Sequence, residues 1–302
     1  VTYRVIPVSP TGCHNGPAVN IVVTINPTPR IDPVPVNTIQ CDSTTTSIRL
    51  QSPSTFTSGA VTFRYTASSP GGVTGFTPLA TGLPNDHVIT DLLVNPTDSP
   101  QDVIYTITPV SPGGCNEGPS INVTVTVNPT PRVFPVPVNT IQCDSTTTSI
   151  RLESPSTFTS GVVTFNYTAT ATGGVTGFTA SATGLANNHV ITDNLVNPTD
   201  SPQTVTYRVV PVSPTGCNDG RAVNITVTVN PTPRVYPEPA NTIQCDNTAT
   251  GITLESPSTF TSGVVTFNYT ATATGGVTGY TASATGLTNN HVITDVLVNP
   301  TD

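Results

Sequence analysis

The chain has 302 residues, a net charge of −8 and only 9% charged residues. All nine of its cationic side chains are arginine and none cluster into a basic patch, which excludes a phosphate-backbone partner and with it nucleic acid. No stretch approaches the ~18 uninterrupted apolar residues of a membrane span, so membrane insertion by a helix is excluded too, and the first residues lack a signal-peptide layout.

Read from the start, Val1 opens a Val-Thr-Tyr run ending at Tyr3, a loop from Pro7 to Cys13 follows, and the phrase Ile25 to Arg30 reads INPTPR. Each landmark returns at a step of 102: Cys13, Cys115 and Cys217; Arg30, Arg132 and Arg234; Cys41, Cys143 and Cys245; His87, His189 and His291. Solenoid repeats are far shorter, whereas 102 residues is the size of a domain with its own core. The expected division is 1–29, the C-terminal strands of a truncated repeat; 30–131 and 132–233, two whole repeats; and 234–302, the N-terminal strands of another. The chain reads as a piece of something longer.

Within a repeat the strand signals are Ser47 to Leu50, Val61 to Tyr65, Val88 to Val94, Val103 to Pro109 and Ile121 to Val127. Val, Ile, Thr, Tyr and Phe dominate these runs, and Pro, Gly, Asn and Asp separate them. No stretch keeps helical periodicity. About seven short strands per hundred residues predicts an all-β fold, a tandem array of immunoglobulin-like β-sandwich domains joined by short Pro-rich linkers. Phe63 and Tyr65, with Phe165, Tyr167, Phe267 and Tyr269 in later copies, should share one core-facing side of a central strand. Tyr3, Tyr105 and Tyr207 open a late strand and are either tyrosine-corner residues or ordinary core tyrosines. Asn128 to Arg132 should stop the last strand, because proline fixes φ and removes a sheet donor. Pro33, Pro35, Pro135, Pro137, Pro237 and Pro239 then continue as a semi-rigid linker.

The residues nominate no chemistry. His87, His189 and His291 stand four residues before Asp91, Asp193 and Asp295, on the same strand face, but no nucleophile or pocket accompanies them. His14 does not repeat. The pairs Gly71-Gly72, Gly173-Gly174 and Gly275-Gly276 precede no helix and so are turns, not phosphate cradles. The loop from Asn95 to Asp98 offers too few carboxylates for calcium, and zinc would need four closely spaced ligands. The Thr168 to Thr172 run does not make an ice-binding site, because regular threonine ladders come from repeats far shorter than 102 residues. Catalytic, metal and cofactor sites are therefore expected to be absent. The aromatic residues of the Gly-Phe/Tyr-Thr turns, Phe76, Phe178 and Tyr280, are the platforms a glycan-binding module would use, which is the alternative function.

With no lysine for amide cross-links, cystine is the only covalent staple, and two Cys per repeat suit an oxidising, extracellular setting. Repeat symmetry leaves separations of 28, 74 and 176. Only the 74-residue pairing lies within one domain of 30–131, so Cys41 is expected to bond Cys115 and Cys143 to bond Cys217, with Cys13 and Cys245 paired outside the chain. This requires the Asn37 to Cys41 stretch to begin at the pole of the last hairpin.

The Val-x-Tyr strand, the Pro-x-Ser-Pro-x-Gly-Cys loop (Pro7 to Cys13, Pro109 to Cys115, Pro211 to Cys217), the Val-Asn-Pro-x-Pro ending and the Ile-Gln-Cys start resemble the PKD-like, immunoglobulin-like repeats of giant surface proteins in gliding bacteria. The style is that of SprB-type gliding adhesins exported by type IX secretion. The resemblance implies an extracellular cell-surface filament that grips a substratum or polysaccharide, with neighbouring repeats and lateral self-association as its other contacts. It also implies O-glycan acceptors at Ser43, Thr44, Ser145 and Thr146, in Asp-Ser-Thr sequences that Asp246-Asn247-Thr248 breaks.

The array reading sets an expected size in solution. Three sandwiches in line, each on the order of 40 Å long, have a radius of gyration of roughly 35 Å, against about 19 Å for one compact globule of this length. Small-angle scattering distinguishes the two, and a value near 20 Å would overturn the array in line.

Overall fold

The computed structural model describes residues 1–32, 37–134, 139–214, 216–236 and 242–301. The linker prolines Pro33, Pro35, Pro135, Pro137, Pro237 and Pro239 lie outside the described residues. Two compact units form, one of Val1–Pro131 with Ser156–Val162 and Ser213–Asn218, the other of Arg132–Pro155, Val163–Val212 and Asp219–Asp302.

The first unit opens on a hairpin of β1 (Thr2–Val5) and β2 (Val19–Val22). Then come β3 (Asn37–Cys41), β4 (Thr44–Thr45), β5 (Ile48–Arg49), β6 (Thr62–Ser68), β7 (Leu79–Pro84), β8 (Val88–Ile89), β9 (Leu92–Leu93), β10 (Gln101–Val110) and β11 (Ile121–Asn128). One layer is a five-stranded sheet in the order β3-β11-β10-β6-β7, and two short ladders, β4 with β9 and β5 with β8, face it. All pairs are antiparallel except β3 with β11, whose register runs from Asn37 opposite Thr124 to Cys41 opposite Asn128.

Alternation explains the core. In β10 and β11 the inward residues Val103, Tyr105, Ile107, Val123, Val125 and Val127 are all fully buried. They meet Phe63 and Tyr65 of β6 and, from the other layer, Ile48, Leu50, Ile89 and Leu93 in one cluster. Each such side chain contributes about 1.5–3 kcal/mol of transfer free energy. Pro109 is tolerated inside β10 because its ladder with β11 ends at Ile107 opposite Ile121, so no donor is required there.

The second unit repeats this layout with β12 (Asn139–Cys143), β13 (Thr146–Thr147), β14 (Ile150–Arg151), β15 (Thr164–Ala171), β16 (Ser181–Ala186), β17 (Val190–Ile191), β18 (Asn194–Leu195), β19 (Gln203–Val212) and β20 (Val223–Asn230). Its large sheet is ordered β12-β20-β19-β15-β16. It ends in β21 (Thr248–Ala249), β22 (Ile252–Leu254), β23 (Thr266–Thr270), β24 (Ser283–Thr288), β25 (His291–Ile293) and β26 (Val296–Leu297), paired as three ladders.

The structure differs from the sequence expectation in two places. The run from Val88 to Val94 is not one strand: it breaks at Thr90 and Asp91, because the Asp91 backbone N–H bonds the Thr46 hydroxyl and its carbonyl accepts from the Thr46 N–H. The second difference is β7, Leu-Ala-Thr-Gly-Leu-Pro, which is not among the strand signals of the sequence. It pairs with β6 through a register shift between Phe63 and Tyr65, and Gly82 at φ +69° supplies the irregularity.

Candidate functional site

The residues between β8 and β9 place a carboxyl group inside the sandwich. Asp91 Oδ2 accepts from the Tyr105 hydroxyl at 2.8 Å and from the Thr77 N–H at 3.0 Å, and Oδ1 accepts from the Thr77 hydroxyl at 2.8 Å. The second unit repeats every contact, with Asp193 accepting from Tyr207 at 2.7 Å and from Thr179. Tyr65 meets Tyr105 edge to face with centroids 5.7 Å apart, as Tyr167 meets Tyr207. Burial first, and then the hydrogen bond to the carboxyl, push the phenols of Tyr105 and Tyr207 far above their ordinary value.

Tyr105 and Tyr207 are therefore core tyrosines, the second alternative of the sequence reading, and each hydroxyl bonds a carboxyl side chain across the layers. Tyr3, by contrast, is 56% exposed in β1. His87, His189 and His291 do not join the Asp clusters, whose bonds come from Tyr and Thr; the peptide carbonyl of His87 instead caps the Leu50 N–H. No spacing rule in the sequence points from Asp91 to Thr46, Thr77 and Tyr105.

A second cluster surrounds the Asn-Pro-Thr-Pro-Arg phrase. Asp42 accepts from the Asn95 N–H and the Thr130 hydroxyl, while Asn95 donates to the carbonyls of Val127 and Ser99. Asn128, fully buried, takes the Thr159 N–H on its carboxamide oxygen and donates to the Thr159 hydroxyl. The same carboxamide contact joins Asn26 to the Thr57 N–H and Asn230 to the Thr261 N–H. The phrase is thus a hydrogen-bonding fixture as well as a strand stop. In the second unit, burial raises the Asp144 carboxyl, but bonds from the Asn197 N–H, the Thr232 hydroxyl and Ser145 outweigh it and hold the group below its ordinary value.

The cystine is the main correction. Cys41 bonds Cys217, with Cα atoms 5.4 Å apart and a separation of 176 residues, while Cys13, Cys115, Cys143 and Cys245 are free and exposed. The expected bonds of Cys41 to Cys115 and Cys143 to Cys217 do not form. The reason is the parallel register of β3, which sets Cys41 beside Asn128 at the far end of β11. Cys115 follows the turn that leads into the opposite end, about 23 Å away at strand rise.

Ser43 and Ser145 are exposed in turns with φ of 58° and 59°, while the Thr44 and Thr146 hydroxyls donate to the carbonyls of Cys41 and Cys143. Phe76 packs half-buried against the core, and Tyr280 lines an open cleft with Ile252, Leu254, Tyr269 and Leu297. These are the counterparts of core residues Ile150, Leu152, Tyr167 and Leu195, so the cleft is an uncovered core face. Among the described residues no three His, Cys, Asp or Glu side chains gather, and no helix is long and apolar enough to cross a membrane.

The layered strand order and cross-layer core define tandem β-sandwich domains of the immunoglobulin-like kind. The PKD-like domain family matches residues 38–131 and 140–233, more than half of the sequence, and the chain belongs to that family. No curated protein matches the sequence. Among solved structures it is similar to the human desmocollin-1 ectodomain, at 14% identity and a TM-score of 0.36, covering 91% of this chain and 55% of that one. It is also similar to Drosophila N-cadherin EC1-3, at 12% identity and a TM-score of 0.25, covering 68% of each. PKD-like domains are typically non-catalytic structural modules, and with a disulfide they are typical of extracellular proteins.

Two outcomes follow for this site. Tyr207→Phe leaves Asp193 short of a buried donor and should cost about 2 kcal/mol, lowering the melting point of its domain by about 10 °C; calorimetry showing no change would remove the cluster's structural role. The depressed Asp144 carboxyl contributes stability that is present above the ordinary carboxylate value and is lost as pH falls through the folded one. Melting curves below about pH 4 should therefore drop for the native chain, and the drop should be smaller for Asp144→Asn; equal slopes would contradict it.

Proposed function

We propose that this chain is a structural segment of a bacterial cell-surface filament or adhesin, working outside the cell in attachment and gliding motility. The observation that carries this reading is the Cys41–Cys217 bond. It ties the first strand of one PKD-like copy to the hairpin loop of the next, so tension between the chain ends passes through a covalent link and bypasses the residues between. A module that serves reach and tension benefits from such a link; one that serves turnover does not. The repeat style supports an SprB-type parent exported by type IX secretion. The parent meets its substratum or polysaccharide, and filaments associate laterally. No catalysis or cofactor is assigned. Ser43 and Ser145 are the preferred O-glycan acceptors, because both are exposed, whereas the Thr44 and Thr146 hydroxyls are held by the carbonyls of Cys41 and Cys143.

The test is antibody against the chain, applied to living cells, together with in-frame removal of the repeats from the parent. Label moving along the surface, and loss of attachment and spreading without the repeats, are expected. Intact cells that take no label, or attachment unchanged by the deletion, would overturn the proposal.

A further inference from the structure

The one cystine formed has an unfilled counterpart at each neighbouring position. Around Cys41, β3 ends opposite Asn128, Gln40 Nε2 donates to the Thr44 carbonyl, and the Thr44 hydroxyl donates to the Cys41 carbonyl. Around Cys143 every element recurs: the residue faces Asn230, Gln142 Nε2 donates to the Thr146 carbonyl, and the Thr146 hydroxyl donates to the Cys143 carbonyl. Asn128 holds Thr159, and Asn230 holds Thr261 by the same two bonds.

The partner loop is located by a second contact. Gly161, at φ +75°, lies so close to Pro214 that a β-carbon there would stand 2.5 Å from the proline Cβ, and Cys217 follows in that loop. The loop after Thr57 does likewise: Gly59, at φ +78°, lies against Pro112, ahead of Cys115. Asn26 grips Thr57 as Asn128 grips Thr159. Both halves of the junction thus exist with a free, exposed thiol: the strand half at Cys143 and the loop half at Cys115.

We propose that Cys143 bonds the hairpin-loop cysteine of a following repeat, and Cys115 the first-strand cysteine of a preceding one, so that wherever the array continues each repeat is disulfide-bonded to both neighbours. The counterpart of Cys217 for Cys143 falls at position 319, one period of 102 further on. Each bond forms from two thiols, releasing two protons and two electrons to a disulfide oxidant, which is reduced to two thiols. The inference concerns covalent connectivity alone and stands apart from any role in attachment or motility.

The experiment compares this chain with one lengthened by a copy of residues 201–302 placed after Asp302, both refolded with oxidised glutathione and mapped without reduction after alkylation. The original should give a monomer with the Cys41–Cys217 link and four alkylated thiols. The lengthened chain should link Cys143 to position 319 and still show four free thiols; its C143S variant should keep Cys41–Cys217 and expose one thiol more. Circular dichroism of the C143S variant confirms that folding does not depend on the bond. A link from position 319 to Cys245, a Cys143 that stays alkylatable in the folded lengthened chain, or disulfide-linked dimers through Cys143 would each overturn the proposal.

Discussion

A carboxyl group inside a sandwich of this size is tolerable only if donors meet it from both layers, and Asp91 and Asp193 show how much of the domain that requirement organises. A buried polar atom left unpaired costs about 1–3 kcal/mol, a large part of the 5–15 kcal/mol that a domain has in total. Tyr105 must therefore extend through the core from β10, and Thr77 must arrive from the turn before β7. The Thr46 hydroxyl must take over from a strand neighbour at the break between β8 and β9. These bonds fix the separation and register of the two layers more strictly than apolar contact alone, since Val, Ile and Leu pack acceptably under small slips and a hydrogen bond does not. The short ladders β4 with β9 and β5 with β8 have two residues on each strand. They persist because this cluster and the core beneath hold them.

Much of the fold was legible in the residues because it depends on local pattern. Alternation located β6, β10 and β11, and the Phe63 and Tyr65 pair faces the core as period two requires. What escaped notice depends on contacts between residues distant in sequence. Strand β7 is hidden by small residues and a Gly bulge, and the direction of β3 by its parallel pairing with a strand over eighty residues later. The Asp91 cluster was half visible: Asp91 was singled out, but it was matched with His87 by strand spacing, although the strand breaks between them. Asn128 was read for what the following prolines forbid. Its own carboxamide, buried and bonded to Thr159, has an equal share in the motif.

The cystine separates local from non-local information most sharply. In the chain-entropy account, closing 74 residues stabilises by about 4 kcal/mol and closing 176 by about 5. A difference of roughly 1 kcal/mol is no basis for choosing a partner. Strand direction is, because a parallel β3 carries Cys41 away from the hairpin of its own domain and toward the loop that Asn128 holds through Thr159. An antiparallel first strand would have reversed the outcome with the same cysteines at the same spacing. The bond consequently joins the first strand of one repeat to the hairpin loop of the next, beside the hydrogen bonds of Asn128 to Thr159 and of Ser156 and Thr157 to Asp98. A covalent link placed there, unlike those hydrogen bonds, does not exchange with water.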